Sequence, residues 1–279
     1  MTNTTGSLPA EDLVELARAL ERLNHPSVGA RIAAVVGSPV EKLIGMLPAR
    51  ASGAIASAAR SAVLAALRLA LRTLAPSPAA SASNTPRPAS TGWHKVAGAV
   101  SGAAGGAFGL AALAVELPVS TTIMMRAIAD VARGEGADLS DPQVQLECVM
   151  VLGLGGPSAA DDAADIGYFA AREAMSRAVG SAAAHIAHHG LAKEGAPALV
   201  RLISLIAERY SVNVTEKAAA QFVPLAGAVG GAALNTIFID HFQEMARGHF
   251  ALRRLERKHG DEAVRAAART LRGVPGPRR

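Results

Sequence analysis

Apolar residues recur along most of the chain at spacings of three and four, which is the period of an α-helix rather than of a strand. The first clear case is LPAEDLVELARALERL, where leucines with this spacing follow Pro9 and an acidic first turn. They are Leu13, Leu16, Leu20 and Leu23. The pattern predicts an amphipathic helix that starts near residue 9 and ends at 24–26. Because strong strand patterns are scarce throughout, the sequence predicts an all-α fold, a helical bundle.

The segment ASGAIASAARSAVLAALRLALRTLA predicts a second long helix, and its arginines form a single basic stripe. Arg60, Arg68 and Arg72 fall within about 120° of one another on a helix of about 100° per residue. Such a stripe suits a helix that lies on a membrane surface. It suits equally a core helix whose arginines extend into water at its edge.

The composition divides the chain into four parts. Residues 76–92, PSPAASASNTPRPASTG, have no apolar period and predict a flexible linker. An N-terminal helical segment over 1–75 is expected before it, and a main helical domain over 93–272 after it. The last residues, 273–279, are predicted to form a disordered basic tail.

Within the main domain, the pattern predicts a series of consecutive helices. Asp141 followed by Pro142 is a strong start signal, since a capping carboxylate precedes a proline at the first helical position. The expected helices cover about 119–133, 141–154, 159–189, 195–210 and 233–258.

Two uncharged, glycine-rich segments, 96–115 and 222–239, stand out from this series. Each is long enough to cross a bilayer as a helix, whereas glycine lowers both helix propensity and the energy of insertion. Small residues four apart favour close helix packing, so we expect the two segments to pair at the centre of the bundle. The pattern does not distinguish a buried pair from a membrane-inserted pair.

The net charge of +5 comes entirely from the last forty residues, which contain 10 basic and 5 acidic side chains. A basic end suits anionic lipid or nucleic acid, or a solvated helix without a partner. With 3% aromatic residues and no helix-turn-helix pattern, nucleic acid is disfavoured. Arg247, Arg254 and Lys258 lie on one side of the last long helix and are the predicted membrane-surface residues.

The N-terminus lacks the basic and apolar regions of a secretory signal, which predicts a cytoplasmic protein on the inner face of the membrane. The single cysteine, Cys148, is expected to be buried and unreactive. No cofactor is predicted, because the chain has no glycine-rich phosphate loop and no zinc protease motif.

Charged and hydroxyl side chains follow the first glycine-rich segment directly. Glu116 precedes Pro118, so it is predicted to cap a helix start, or to pair with Arg126 in a buried network. Glu147 is the other carboxylate considered for Arg126. Thr121 and Thr122 are predicted to open a helix, where they cap, pack or hold an anion. The full candidate network is Glu116, Thr121, Thr122, Arg126, Asp130, Glu147, Asn235 and Asp240.

An enzymatic alternative uses some of the same residues. His241 and Glu244 share a helix face and are better metal-binding candidates than Glu256 and His259, which lie in a basic stretch. His185, His188 and His189 form a second cluster. A hydrolase or metal-dependent enzyme would then have its site at Glu116, Arg126, Glu147, His241 and Glu244. Such a site would have to gather residues that lie far apart in the sequence.

Two separated blocks resemble the EcsC protein family. The first is ELPVSTT followed by MRAIADVAR, then Gly136, Asp138 and Asp141-Pro142; the second is FVPLAGAVGGAALN followed by HFQEMARGHFALRRLERKHG. The resemblance covers roughly residues 93–262. It implies an all-helical, membrane-associated bacterial accessory protein, since the family's namesake is encoded beside an ABC transporter linked to protein secretion. It implies no established reaction and no catalytic residues.

Overall fold

The computed structural model describes residues 8–24, 27–49, 51–73, 110–154, 164–189, 196–221 and 227–271, and these contain ten α-helices and no strand. The all-α fold is therefore confirmed. In chain order the helices are α1 (Ala10–Leu23), α2 (Val28–Val36), α3 (Val40–Gly45), α4 (Ala51–Thr73), α5 (Leu110–Gly134), α6 (Pro142–Leu154), α7 (Ala164–His189), α8 (Pro197–Gln221), α9 (Gly227–His259) and α10 (Asp261–Leu271).

The long helices α5, α8 and α9 lie at the centre of the bundle. The 33-residue helix α9 packs against α1, α5 and α6, and α4 packs against α5 and α8. The shared core is made of alanine and branched aliphatic side chains, with Phe238, Phe242 and Phe250 as its large members. The N-terminal helices contribute to this same core through buried residues such as Leu16 and Ile55.

Close backbone approach fixes α1 on α9. A Cβ added to Gly248 would lie 2.7 Å from Leu23 Cγ and 2.9 Å from the Ala19 carbonyl oxygen. Only glycine leaves room for the two helices at this spacing. The seam between α1 and α9 therefore depends on a residue without a side chain.

Helix α4 has an apolar inner face and a basic outer face. Arg60, Arg68 and Arg72 are exposed, while Ile55 and Val63 are fully buried. Among the described helices, one window, Ala51–Arg72, is long and apolar enough to cross a membrane, and 44% of it is buried in the protein. Buried core helices pass the same test of length and composition, and an outer face of arginines is unsuited to lipid tails.

Several helix bounds differ from the predicted ones. Helix α5 continues through Pro118, so no helix starts at 119. Helix α8 extends beyond 210 to Gln221, and α9 joins part of the second glycine-rich segment to the last amphipathic helix. The start at Pro142 is confirmed, with the Gln143 amide donating to Asp141 Oδ1 at 2.8 Å.

Parts of the predicted organisation fall outside the described residues. They include the linker at 76–92, the tail at 273–279, and residues 96–109 and 222–226 of the glycine-rich segments. The pairing of those two segments stays a prediction.

Candidate functional site

A buried lysine joins the three central helices. Lys217 of α8 donates from Nζ to Glu116 Oε1 of α5 at 2.7 Å and to Asn235 Oδ1 of α9 at 2.9 Å. Lys217 and Asn235 are completely buried, and Glu116 is 7% exposed. Because each polar group comes from a different helix, these bonds fix the relative positions of α5, α8 and α9. We call these three residues the central network.

Aromatic rings and a hydroxyl pair surround the central network. Lys217 Nζ lies 5.1 Å from the centroid of the Phe238 ring, an arrangement that favours the cation. Thr121 Oγ1 and Tyr210 Oη hydrogen bond at 2.8 Å between α5 and α8. Burial lowers the pKa of Lys217, and the nearby Glu116 carboxylate opposes that shift.

Some buried polar atoms near this network have no hydrogen-bond partner in the structure. They are Glu116 Oε2 and both side-chain amide atoms of Asn213, which lies one turn before Lys217 on α8. An unsatisfied buried polar atom is costly. The α5–α8 interface therefore has hydrogen-bonding capacity that its side chains leave unused.

A second network links α6, α7 and α9. We call its residues, Arg172, Glu256, Arg253 and Glu147, the lower network. Arg172 donates two bonds to Glu256, at 2.8 and 2.6 Å, and Arg253 bridges Glu256 to Glu147. Arg172 and Glu256 are both buried. This bidentate geometry is the strongest kind of charged hydrogen bond in proteins. The lower network fixes α7 against the C-terminal half of α9.

A neutral histidine completes the lower network. Tyr168 Oη and His249 Nδ1 hydrogen bond at 2.8 Å, and both residues are buried. Burial, together with Arg172 and Arg253, places the pKa of His249 well below its ordinary value. Burial also raises the pKa of Tyr168. Both groups are uncharged near neutral pH, which suits a structural hydrogen bond.

Acidic residues of α1 and of the turn that follows α5 pair with the C-terminal cations of α9. Lys258 donates to both carboxylate oxygens of Asp12, at 3.0 and 2.9 Å. Arg254 pairs with Glu15 and, at 3.1 Å, with Glu135. The structure thus gives internal partners to predicted membrane-surface cations. Their membrane role remains a prediction.

The other cations and acids of this region also pair within the fold. Arg247, the third predicted membrane-surface residue, pairs with Glu244. Asp240 accepts a bond of 2.6 Å from Arg31 of α2, and Asp130 one of 2.8 Å from Arg133.

Three predictions about the α5 segment are wrong. Glu116 is no helix cap, because α5 is continuous and Glu116 lies in its interior. Thr121 and Thr122 likewise open no helix, and Thr122 Oγ1 donates instead to the Pro118 carbonyl at 2.8 Å. Arg126 is exposed and pairs with neither Glu116 nor Glu147. Ten residues of helix turn its side chain about 80° away from Glu116, toward the exposed face that also holds Val119.

The residues of the enzymatic alternative belong to different networks. Glu116 shares Lys217 with Asn235 of α9, whereas Glu147 pairs with Arg253 of the same helix. Asn235 and Arg253 are eighteen residues, or about 27 Å, apart along α9. Glu244 is engaged by Arg22 and Arg247, and buried His241 packs edge-on against Phe242. Within the described ranges, no group of three or more His, Cys, Asp or Glu side chains is arranged to hold a metal ion. Cys148 is buried, and burial raises the pKa of its thiol.

Sequence reasoning missed Lys217 and Arg172, two of the buried cations. Lys217 falls on the apolar stripe that Tyr210 and Val214 define at spacings of three and four, directly before three alanines. Ending the predicted helix at 210 removed that signal. Arg172 stands in an alanine-rich stretch, where a lone charge on an apolar face is the available signal.

A buried carboxyl group of α8, Glu216, gives the protein a testable pH dependence. The Glu216 side chain reaches the start of α2. A Cβ added to Gly29 would lie 2.6 Å from Glu216 Oε1. Burial, with a smaller contribution from Glu41, raises the pKa of Glu216 from 4.5 to about 7, although the Gly29 amide partly opposes the shift. Between these values the folded state binds more protons than the unfolded state. Stability is therefore expected to fall as the pH rises from 4.5 through about 7.

We expect Glu216→Gln to remove this dependence, since the amide is never charged. Thermal unfolding should show a higher melting temperature for the variant at pH 8 and a small difference at pH 5. Glu208→Gln, an exposed position on the same helix, is the matched control. Equal pH profiles for Glu216→Gln and the wild type would contradict the assignment.

Comparison with known proteins identifies a family. The model of the EcsC protein family matches residues 10–255. The match extends beyond the 93–262 resemblance and includes the N-terminal helices. No curated protein and no solved structure matches the chain. Since the family match covers most of the sequence, the chain belongs to the EcsC protein family.

Proposed function

We propose that this EcsC family protein is a membrane-associated accessory protein that acts through contacts with lipid or with a membrane protein. The proposal places it on the cytoplasmic face, with an ABC transporter or secretion system as the class of partner. The observation that carries it is a cluster of exposed apolar side chains on α2 and α3. We call Val35, Ile44 and Met46 the apolar hairpin surface.

Local sequence explains why these side chains point outward. Gly37, with a φ of 70°, ends α2, and Pro39 directly precedes α3, so the two short helices form a tight hairpin. Ile32 and Leu43 face inward and are buried. Val35, Met46 and Ile44 face outward with exposures of 62%, 54% and 37%.

Exposed apolar side chains on one short helical hairpin favour a contact that removes them from water. Their burial would contribute about 25 cal/mol for each Å² covered. Because α9 cations such as Lys258 already pair within the fold, this contact is expected to rest mainly on apolar burial. We therefore expect membrane binding that persists at high salt.

Replacing the three side chains tests the proposal. In vesicle flotation, Val35→Ser/Ile44→Ser/Met46→Ser should reduce binding to zwitterionic and anionic vesicles by at least about tenfold, since the apolar contact is lost. The matched control is Val14→Ser, which changes an exposed valine on α1. It should bind as the wild type does.

Two results would overturn the proposal. One is a wild-type protein that floats with no vesicle of either kind. The other is a triple variant that binds as well as the control while keeping the wild-type melting temperature.

A further inference from the structure

A surface groove separates the N-terminal part of α8 from the middle of α7. Its volume is about 850 Å³, and it is open to solvent. Small residues such as Ala174, Ala178 and Pro197 line it together with Arg177, Arg201 and Glu173. The groove therefore combines a small apolar surface of alanine and proline, its floor, with charged side chains on α7 and α8, its walls.

The walls of the groove are electropositive. Arg177 comes from α7 and Arg201 from α8, and both are exposed. Glu173 is engaged by Arg177 at 3.8 Å and by Arg265, outside the groove lining, at 3.4 Å, so two guanidinium groups and one already paired carboxylate line the groove. The first residues of α8 also line the groove, and the positive end of that helix dipole adds to the field.

This combination selects the chemistry of a ligand. Guanidinium groups on facing walls suit a phosphate, which accepts several charged hydrogen bonds at once. A free phosphate would leave the alanine floor uncovered. A phosphate that carries an apolar body satisfies both parts of the groove, and a phospholipid has that structure.

The groove lies on the same side of α8 as its contact with α2. Glu216, which contacts α2 at Gly29, is eighteen residues after Ala198 of the groove, or about five full turns. Exposed Val212 falls about 40° from this line. The groove and the first helix of the apolar hairpin are therefore on one side of α8.

We propose that the α7–α8 groove binds the headgroup and glycerol region of an anionic phospholipid through Arg177 and Arg201. This assignment rests on the proposed membrane association. The hairpin supplies binding to any bilayer, and the groove supplies preference for anionic lipid.

Variants of the groove separate the two contributions. Flotation would compare phosphatidylglycerol vesicles with phosphatidylcholine vesicles. Arg177→Gln/Arg201→Gln should lose about tenfold of affinity for phosphatidylglycerol and keep its affinity for phosphatidylcholine. The charge-matched control is Arg18→Gln/Arg126→Gln, two exposed arginines on other helices. Glu173→Gln should shift the preference the other way, toward tighter anionic binding.

Each other outcome overturns the assignment. Equal losses in both double variants would show general charge attraction, and no loss in either would show that the groove is not used. In both cases the membrane proposal survives, whereas a wild type that binds no vesicle removes the membrane proposal as well. Soluble short-chain phosphatidylglycerol should displace the protein from vesicles. Equal displacement by inorganic phosphate would mean that the groove binds a free anion instead of a lipid.

Discussion

Replacing Lys217 with methionine is expected to lower the free energy of unfolding by about 3–5 kcal/mol, because it removes one partner of a buried charge pair. Methionine has nearly the length of lysine, so the packing around Phe238 is largely kept. The loss arises because the Glu116 carboxylate remains buried without its cation, and Asn235 loses a donor. Urea denaturation measures the change.

Two further variants show which interaction accounts for the loss of stability in Lys217→Met. Lys42→Met, at an exposed position of α3, should change stability by less than about 0.5 kcal/mol. Adding Glu116→Gln to Lys217→Met should recover much of the loss, since no buried charge then lacks a partner. A loss for Lys217→Met below about 1 kcal/mol would mean that water reaches the carboxylate and that the network does not fix the helices.

The second large effect is expected at Glu256. Glu256→Ala removes the carboxylate that accepts two bonds from Arg172 and one from Arg253, and it leaves Arg172 buried beside neutral Tyr168 and His249. A loss of about 3–5 kcal/mol is expected from the uncompensated guanidinium. Arg253 can still bond to Glu147, so the damage should concentrate on α7.

Two measurements check this expectation. Urea denaturation gives the stability, with Glu262→Ala at an exposed position of α10 as the control. Hydrogen exchange should show faster opening of α7 in Glu256→Ala than in the wild type, because α7 loses its bidentate link to α9. Uniform protection across the helices of the variant would argue against this role for the pair.

The sequence predicts the helices well because each buries an apolar stripe with the period of a helix. It places the ends less well where two features conflict. Pro118 indicates a helix start, yet α5 continues through it, since a proline removes only one backbone bond and packing on both sides compensates. Similarly, α8 continues past 210 because Val214 and Ala218 extend its buried face.

The candidate site could be predicted only in part. Glu116 and Asn235, both named in the candidate network, are buried, but the cation that joins them lies more than a hundred residues from Glu116 in the sequence. Local spacing indicates partners within one helix, whereas buried charges pair across helices. Arg126 is the clearest case, because its helix phase sends it to solvent while Lys217 takes the buried position.

The structure thus assigns different work to the interior and the surface. The central and lower networks hold five helices together, and their charges find partners inside the fold. Under the proposed function, lipid or a membrane protein binds at the apolar hairpin surface and along α8. Residues of the EcsC-like block such as Glu116 then matter for folding first.

The most direct test of this division is flotation of the Glu116→Gln/Lys217→Met variant with phosphatidylglycerol vesicles. Its central network is neutralised and its surface is unchanged. We predict that the folded variant binds vesicles with the wild-type affinity. A variant that keeps a wild-type melting temperature and yet loses vesicle binding would contradict the account, and would make the central network part of the functional site.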